Sequence, residues 1–188
     1  DWSYNQSMGR KSEREYRRKE ITEAFARVLA NHGFAGATMT AVAEEAGLSP
    51  GLLHHHFKNK NEMLDELLTV LINGFKMRIR EFSKGQEHDL DAYIDAAIGL
   101  DHKSDLISAR CWVGLLSEAI RNPDLFNRVK RYLDSEIQYI GTLSKGRLNE
   151  KDSSALLAFI FGSLVFGAFA PKKAAGFAAP AAKRLIRN

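Results

Sequence analysis

Residues 38–60 constrain the fold more than any other part of the chain, because they predict two short helices broken by a tight turn. Thr38 is a good N-cap for the first helix, which we expect over 39–46. Ser49 is a good N-cap for the second, which we expect over 50–56 with a proline at its first position. This is the layout of a helix-turn-helix, whose second helix lies in the major groove of DNA.

The turn and the underside of this segment fit the same layout. Gly47 stands where the turn needs a positive φ, and Ala43 is small where the two helices would cross closely. The apolar residues are spaced to meet beneath the helices: Val42, Ala46, Leu48 and Leu53. Other helical hairpins show a similar spacing, so the pattern alone leaves both alternatives open.

The second helix of the motif carries groups that suit a DNA backbone and its bases. Its N-terminus has a partial positive charge and free N–H groups, which suit a phosphate, and Gly51 permits close backbone approach. Leu52 could meet a thymine methyl group. Thr40 and Lys60 could bracket the backbone, where contacts position a protein without specifying a sequence.

Three consecutive histidines raise the alternative of a metal site. Successive helical residues point about 100° apart, so His54, His55 and His56 cannot all face one ion. We therefore expect no metal and no other cofactor. His54 and His55 are expected to contact DNA, and His56 is expected to pack inward or to cap the helix.

The rest of the chain also reads as helical, since apolar residues recur every three or four positions and prolines number only 4 in 188 residues. We predict an all-α fold, with an N-terminal arm and three-helix DNA-binding domain over 1–60 and a helical domain over 61–188. A fourth helix, beginning at Asn59, would join the two. The first helix is expected over about 15–32, with Gly33 as a left-handed cap. Further helices are expected near 90–102, 104–121, 123–145, 150–169 and 177–187.

Composition favours a globular protein of a reducing compartment. Hydrophobic residues make up 45 % of the chain, and the single cysteine, Cys111, cannot form an internal disulfide. The polar N-terminus does not predict a signal peptide, and Met8 is expected to be the natural start. The net charge of +4 is compatible with nucleic acid. A solvated tail or a phosphate-binding arm would explain the basic cluster of Arg10, Lys11, Arg14, Arg17, Arg18 and Lys19.

The segment from about residue 15 to residue 70 resembles the DNA-binding domain of the TetR (tetracycline-repressor) family of bacterial regulators. The matching residues are Thr38, Ala46-Gly47-Leu48-Ser49, Gly51-Leu52-Leu53, His56-Phe57 and Asn59-Lys60. The family commonly has tyrosine at the position of His54, and histidine can also donate to a phosphate. The resemblance implies DNA contacts from Thr40, Ser49, Pro50, Gly51, Leu52, His54, His55 and Lys60.

The same resemblance implies a function for the C-terminal helices, which in this family bind a small molecule and form a homodimer. The expected protein is a cytoplasmic, ligand-responsive, sequence-specific regulator that represses from operator DNA and is released by an effector. Residues 112–125 resemble the choline/betaine-type regulator branch. Trp112 and Phe126 are the candidate ligand-binding residues, with an aromatic cage for a cation and an oily pocket both open.

Two helices are candidates for the dimer seam. One has an apolar stripe of Val129, Leu133, Ile137 and Ile140, and the other contains the apolar run 155–170. That run has 16 residues, fewer than the roughly 20 that a transmembrane helix needs. We expect a helix buried on all sides, packed partly against its twin across a two-fold axis, and no membrane partner.

Two other classes of function compete with a ligand-responsive regulator. An α-helical enzyme has no support, because Cys111 has no evident histidine partner and no carboxylate–histidine motif occurs. An effector-independent helical DNA-binding or assembly protein is the alternative. A solid C-terminal core would favour it, and a large enclosed cavity would argue against it.

Overall fold

The computed structural model describes residues 2–83, 89–98 and 103–187. All regular structure in these ranges is α-helical, as predicted. The helices are α1 (Trp2–Gly36), α2 (Met39–Glu45), α3 (Pro50–His56), α4 (Lys60–Phe82), α5 (Leu90–Ile98), α6 (Lys103–Ala119), α7 (Pro123–Leu143), α8 (Glu150–Phe169) and α9 (Pro171–Leu185).

The chain divides into two compact units, of which the first ends at Val70 and the second begins at Leu71. Helix α4 runs without interruption across this division and begins beside the predicted domain boundary between residues 60 and 61. That boundary stays a prediction, since a continuous helix marks no break in the chain there.

Helix α1 is longer at its start than the sequence predicted, because it begins at Trp2 and not near residue 15. The end of α1 agrees more closely with the prediction. Gly33 has a φ of 67° and a ψ of 178°, which interrupts the helix where a terminating glycine was expected. After this interruption the chain forms one more short helical turn, which ends at Gly36, and then enters the helix-turn-helix.

Local capping fixes the ends of the two short helices. The Thr38 hydroxyl oxygen accepts a hydrogen bond from the backbone N–H of Ala41 at 3.1 Å, and that of Ser49 accepts one from Leu52 at 3.3 Å. Gly47 has a φ of 66° in the turn between them. These caps satisfy N–H groups that the first helical turn leaves free, so both helices begin where the sequence predicted.

A common apolar core lies beneath α1 to α4 in the first unit. Its members are buried almost completely: Ile21, Ala24, Phe25, Val28, Leu29, Val42, Ala43, Leu53, Phe57, Met63, Leu64, Leu67 and Leu68. Leu53 and Phe57 flank the last turn of α3, so burial of these two side chains holds one face of that helix inward.

In the second unit, α8 packs against α5, α6, α7 and α9. Among the described residues α8 is the one helix that is long and apolar enough to cross a membrane. It is not buried on all sides by its own chain, because Val165, Phe166 and Phe169 are exposed. Because part of the expected burial comes from a twin helix, the expectation of an all-round buried helix stays a prediction.

The apolar stripe expected on α7 is also placed differently. Val129 and Ile140 are buried inside the second unit, so they belong to the core of the chain itself and not to an outer surface. Helix α9 begins at Pro171, six residues before its predicted start. The predicted last residues of α5, 99–102, lie outside the described residues.

Candidate nucleic-acid interface and C-terminal cavity

Helix α3 has one exposed face and one buried face. The exposed residues include Pro50, Gly51, Leu52, His54 and His55, and Leu52 retains 42 % of its surface. Leu53 and His56 point inward. Thr40 and Ser49 are exposed on the neighbouring segment. Seven of the eight predicted DNA-binding residues thus lie on accessible surface of the first unit.

Lys60, the eighth predicted residue, is half-buried at the start of α4. Its ammonium group donates a hydrogen bond to the backbone oxygen of Phe34 at 2.8 Å and lies 4.1 Å from the centre of the Phe34 ring. A lysine has three N–H donors. One is used to fix the segment after Gly33, and a phosphate contact from Lys60 stays a prediction.

Arg18 connects the body of α1 to the end of α3 and to α4. Its guanidinium donates to the backbone oxygen of His56, to the Glu62 carboxylate at 3.0 Å and to the Glu66 carboxylate at 2.9 Å. It also lies 4.0 Å from the centre of the Phe57 ring. The basic cluster before the motif therefore contains a structural member, since Arg18 is directed into the unit.

The other members of that cluster whose side chains are described, Arg14, Arg17 and Lys19, are more exposed. Arg17 pairs with Glu20 at 2.7 Å, and Lys19 lies 3.9 Å from Glu23. Such exposed pairs are weak and readily exchanged. The side chains of Arg10 and Lys11 lie outside the described residues. A phosphate-binding arm stays a prediction for the exposed members.

His56 differs from the two histidines before it because it is buried. Burial, followed by the positive charges of His55, Arg14, Arg17 and Arg18, lowers the pKa of His56. Its Nδ1 has no hydrogen-bond partner among the described residues. The prediction that His56 packs inward is confirmed, and its neutral form is the one that fits this site.

The second unit contains a partly open cavity of about 370 Å³ between α4 and α7. Aromatic, acidic and basic groups line it: Lys76, Ile79, Arg80, Tyr132, Ser135, Glu136 and Tyr139. A second cavity, of about 410 Å³, lies between the end of α7 and the start of α8. Of the two cavities, the one between α4 and α7 therefore offers a small organic molecule more kinds of contact.

Neither predicted ligand-binding residue lines these two cavities. Trp112 is buried and stacks on Tyr132, with ring centres 5.4 Å apart and planes inclined by 16°. Phe126 is 50 % exposed on α7. Trp112 thus lies behind a cavity residue, while the assignment of Phe126 to a ligand site stays a prediction without a contact to support it.

Sequence reasoning missed Glu136, and a signal for it existed. Glu136 lies seven residues after Val129 and four before Ile140, so it occupies the apolar stripe of α7. It is 7 % exposed in the structure. A carboxylate in the buried stripe of an amphipathic helix indicates a partner or a ligand, because an isolated buried charge is costly.

An exposed, capped second helix on a three-helix base defines a DNA-binding protein of the helix-turn-helix class. A family model described as "Bacterial regulatory proteins, tetR family" matches residues 21–67, which cover α2, α3, the second half of α1 and the start of α4. Residues 21–67 therefore form a DNA-binding domain of the tetR family.

Similarity to known proteins extends beyond the matched domain. The HTH-type transcriptional regulator BetI of Burkholderia mallei is 27 % identical over 165 residues, which cover 84 % of each chain. A transcriptional regulator from Rhodococcus sp. Rha1 has the same fold, with a TM-score of 0.79 and 23 % identity over 90 % of this chain and 93 % of that one.

A third similar protein was solved with a ligand. It is a putative transcriptional regulator from Saccharomonospora viridis in complex with choline, with a TM-score of 0.70 and 21 % identity. The alignment covers 91 % of this chain and 95 % of that chain. At this identity the likeness establishes the shared fold.

Proposed function

We propose that the chain is a cytoplasmic, homodimeric repressor that binds operator DNA through α3 and leaves it when a small-molecule effector binds the C-terminal unit. The observation that carries this proposal is the outward face of α3, which we define as Leu52, His54 and His55. These side chains are exposed, while Leu53 and His56 fix the same helix from below. In this proposal the protein has no catalytic role.

The proposed DNA contacts divide into two kinds. Ser49, Gly51 and Lys60 contact phosphates, because they offer a hydroxyl, a close backbone N–H and an ammonium group. Leu52 and His55 approach the base edges from the first turns of a helix in the major groove. Phosphate contacts supply most of the salt-dependent affinity, and base contacts supply the sequence preference.

The test of DNA binding begins with the full chain and random duplex DNA, from which bound sequences are selected and amplified. Fluorescence anisotropy then compares the selected site with random DNA at two salt concentrations. We expect a clear preference for the selected site and an affinity that falls as salt rises. Equal affinity for both DNAs would remove the proposed function.

Histidine variants locate the interface within the same assay. His55→Ala should weaken binding to the selected site, while His32→Ala serves as the matched control because His32 is also exposed but lies near the end of α1. A loss of about 1–3 kcal/mol at His55 is typical of one removed base contact. Equal effects at both histidines would place the interface elsewhere.

The proposed dimer seam is the apolar surface of α8 and α9, which we define as Val165, Phe166, Phe169 and Phe177. These side chains are 40 to 83 % exposed, and the rings of Phe166 and Phe177 touch with centres 5.7 Å apart. Adjacent exposed apolar groups are unfavourable in water unless another surface covers them. In this proposal α8 contacts its twin and not lipid.

The oligomeric state tests this surface directly. Phe169→Asp places a charge at a side chain that is 83 % exposed, and Ile120→Asp is the control because Ile120 is 81 % exposed at the end of α6. Light scattering should show a monomer for the first variant and a dimer for the second. A dimeric Phe169→Asp protein would move the seam to another face.

Effector control is supported by the cavity between α4 and α7, to which α4 contributes Lys76, Ile79 and Arg80. The choline complex of the Saccharomonospora viridis protein supports the idea that this fold accommodates a small organic molecule. A ligand that contacts the C-terminal half of α4 can bias that helix only if it binds one conformation better than the other. The N-terminal half of the same helix belongs to the DNA-binding unit.

A further inference from the structure

Four residues of α7 form one wall of the cavity, and they are Tyr132, Ser135, Glu136 and Tyr139. Tyr132, Glu136 and Tyr139 are spaced four and three residues apart, so they lie on one face of the helix. Together they place a carboxylate between two aromatic rings. The opposite wall comes from α4 and is formed by Lys76, Ile79 and Arg80.

Glu136 is the buried polar group of this cavity. It is 7 % exposed, and one carboxylate oxygen accepts a hydrogen bond from the Tyr93 hydroxyl at 2.6 Å. Burial raises the pKa of Glu136, while the Tyr93 hydrogen bond and the charge of Lys76 oppose the rise. Because a buried carboxylate is poorly solvated, a positive group entering the cavity would stabilise its ionised form.

The two tyrosine rings are held in place before any ligand arrives. Tyr132 stacks on Trp112, and Tyr139 meets Tyr93 edge to face with centres 5.9 Å apart. A cation within about 6 Å of an aromatic ring face is attracted by the ring quadrupole. Fixed rings cost little further side-chain entropy when they bind.

The basic residues of the cavity affect the charge preference for a ligand less than its single acidic residue does. Lys76 and Arg80 are exposed on flexible side chains, so water screens their charges and they can turn away from a ligand. Glu136 is buried, where a charge interacts several times more strongly than in water. The cavity therefore favours positive charge at its α7 wall.

We infer that this cavity binds an organic cation, with its ammonium group against Glu136 between the rings of Tyr132 and Tyr139 and its apolar part along Ile79. The inference rests on the proposed function in treating the cavity as the effector site. Trp112 has a positioning role, since it supports the ring of Tyr132 and does not line the cavity.

Cation binding should be linked to release of a proton. Burial raises the pKa of Glu136 in the free protein, and a bound cation favours the ionised carboxylate, so cation binding opposes protonation of Glu136. The other groups that face Glu136 are Lys76 from α4, Tyr93 from α5, and Tyr132 and Tyr139 from α7. Burial raises the pKa of all three tyrosines, so they stay protonated while Glu136 titrates.

Isothermal titration calorimetry of the full chain can test the charge preference with two probes of similar size, benzyltrimethylammonium and benzenesulfonate. We expect the cation to bind and the anion not to bind. Glu136→Gln should weaken cation binding at least about tenfold, as expected for the loss of a hydrogen-bonded or paired charge. Asp134→Asn is the matched control, because Asp134 lies on the same helix but is exposed and pairs with Lys130 at 2.6 Å.

A measurement on the unsubstituted protein protects the test if Glu136→Gln fails to fold. Titrations in phosphate and in Tris buffer should give different apparent enthalpies, because a released proton is taken up by buffers of different ionisation enthalpy. Affinity for the cation should increase as the pH rises through the raised pKa of Glu136. Identical enthalpies in both buffers together with pH-independent affinity would overturn the inference.

The remaining outcomes separate this inference from the proposed function. Equal cation affinity in Glu136→Gln and the unsubstituted protein, or tighter binding of benzenesulfonate, overturns the inference, while selective operator binding would still support a DNA-binding regulator. Cation binding that depends on Glu136 but leaves operator affinity unchanged supports the cationic site and contradicts effector control. Operator affinity is measured on the unsubstituted protein by anisotropy, with and without the cation.

Discussion

Replacing Arg18 should destabilise the packing of α1, α3 and α4 that supports the helix-turn-helix. Its guanidinium contacts the end of α3 through the His56 carbonyl, α4 through Glu62 and Glu66, and the ring of Phe57. Arg18→Met keeps most of the aliphatic stem and removes all of these polar contacts. The exposed fraction of the Arg18 side chain is 21 %, so solvent weakens the ion pairs without cancelling them.

The expected loss can be worked from each contact. The two part-exposed ion pairs contribute about 0.5 kcal/mol each. The hydrogen bond from a charged donor to the His56 carbonyl contributes about 1 kcal/mol, and the stacking on Phe57 about 0.5 kcal/mol. We therefore expect Arg18→Met to lower the free energy of unfolding by about 2 to 3 kcal/mol.

Urea denaturation followed by far-UV circular dichroism measures this loss as a lower midpoint with an unchanged slope. Arg27→Met is the matched control, since Arg27 forms one exposed ion pair with Glu45 at 2.6 Å and should cost less than about 1 kcal/mol. A loss at Arg18 no larger than the loss at Arg27 would refute the reasoning, because it would mean that the connected contacts contribute no more than one surface pair.

Three further predictions concern single side chains. The pKa of His56 is lowered in the folded protein, so just below about pH 6.5 only the unfolded chain takes up a proton at His56. The free energy of unfolding should therefore fall as the pH decreases from there. His56→Gln should flatten that part of the plot of urea midpoint against pH. Burial raises the pKa of the Cys111 thiol to about 12. Iodoacetamide at pH 8 should therefore alkylate Cys111 slowly in the folded protein and quickly in urea. Fast labelling of the folded chain would contradict the burial of this thiol. Lys60→Ala should weaken binding to operator and random DNA alike and reduce the salt slope by about 1, and an altered base preference would show that Lys60 reads sequence.

Much of the DNA-binding unit was predictable because its signals are local. Thr38, Ser49 and Asn122 each accept a hydrogen bond from the N–H three residues later, and a cap of this kind needs no distant partner. The bounds of α3 agree with the predicted 50–56 for the same reason. The exposed face of α3 follows from its spacing, since a seven-residue helix with Leu53 and His56 inward leaves Leu52, His54 and His55 outward.

The candidate ligand site was less predictable, because residue type alone does not fix exposure. Trp112 and Phe126 are aromatic residues in or beside the segment that resembles one branch of the family, yet Trp112 supports Tyr132 from behind and Phe126 is half-exposed. Glu136 and Tyr93 are 43 residues apart in sequence and meet only when α5 and α7 pack. The acidic residue in the apolar stripe of α7 indicates that a buried partner exists, but it does not identify that partner as Tyr93.

By itself the sequence determined the helix-turn-helix, the ends of its helices and the side that α3 exposes, since caps, turns and helical periodicity act within a few residues. Tertiary packing alone decided that Arg18 faces inward, that Val129 and Ile140 join the core, and that Glu136 meets Tyr93 and lies beside α4. Those arrangements join residues about 40 or more positions apart, or depend on which helix covers which face. The interactions that create them exist only after the chain has folded.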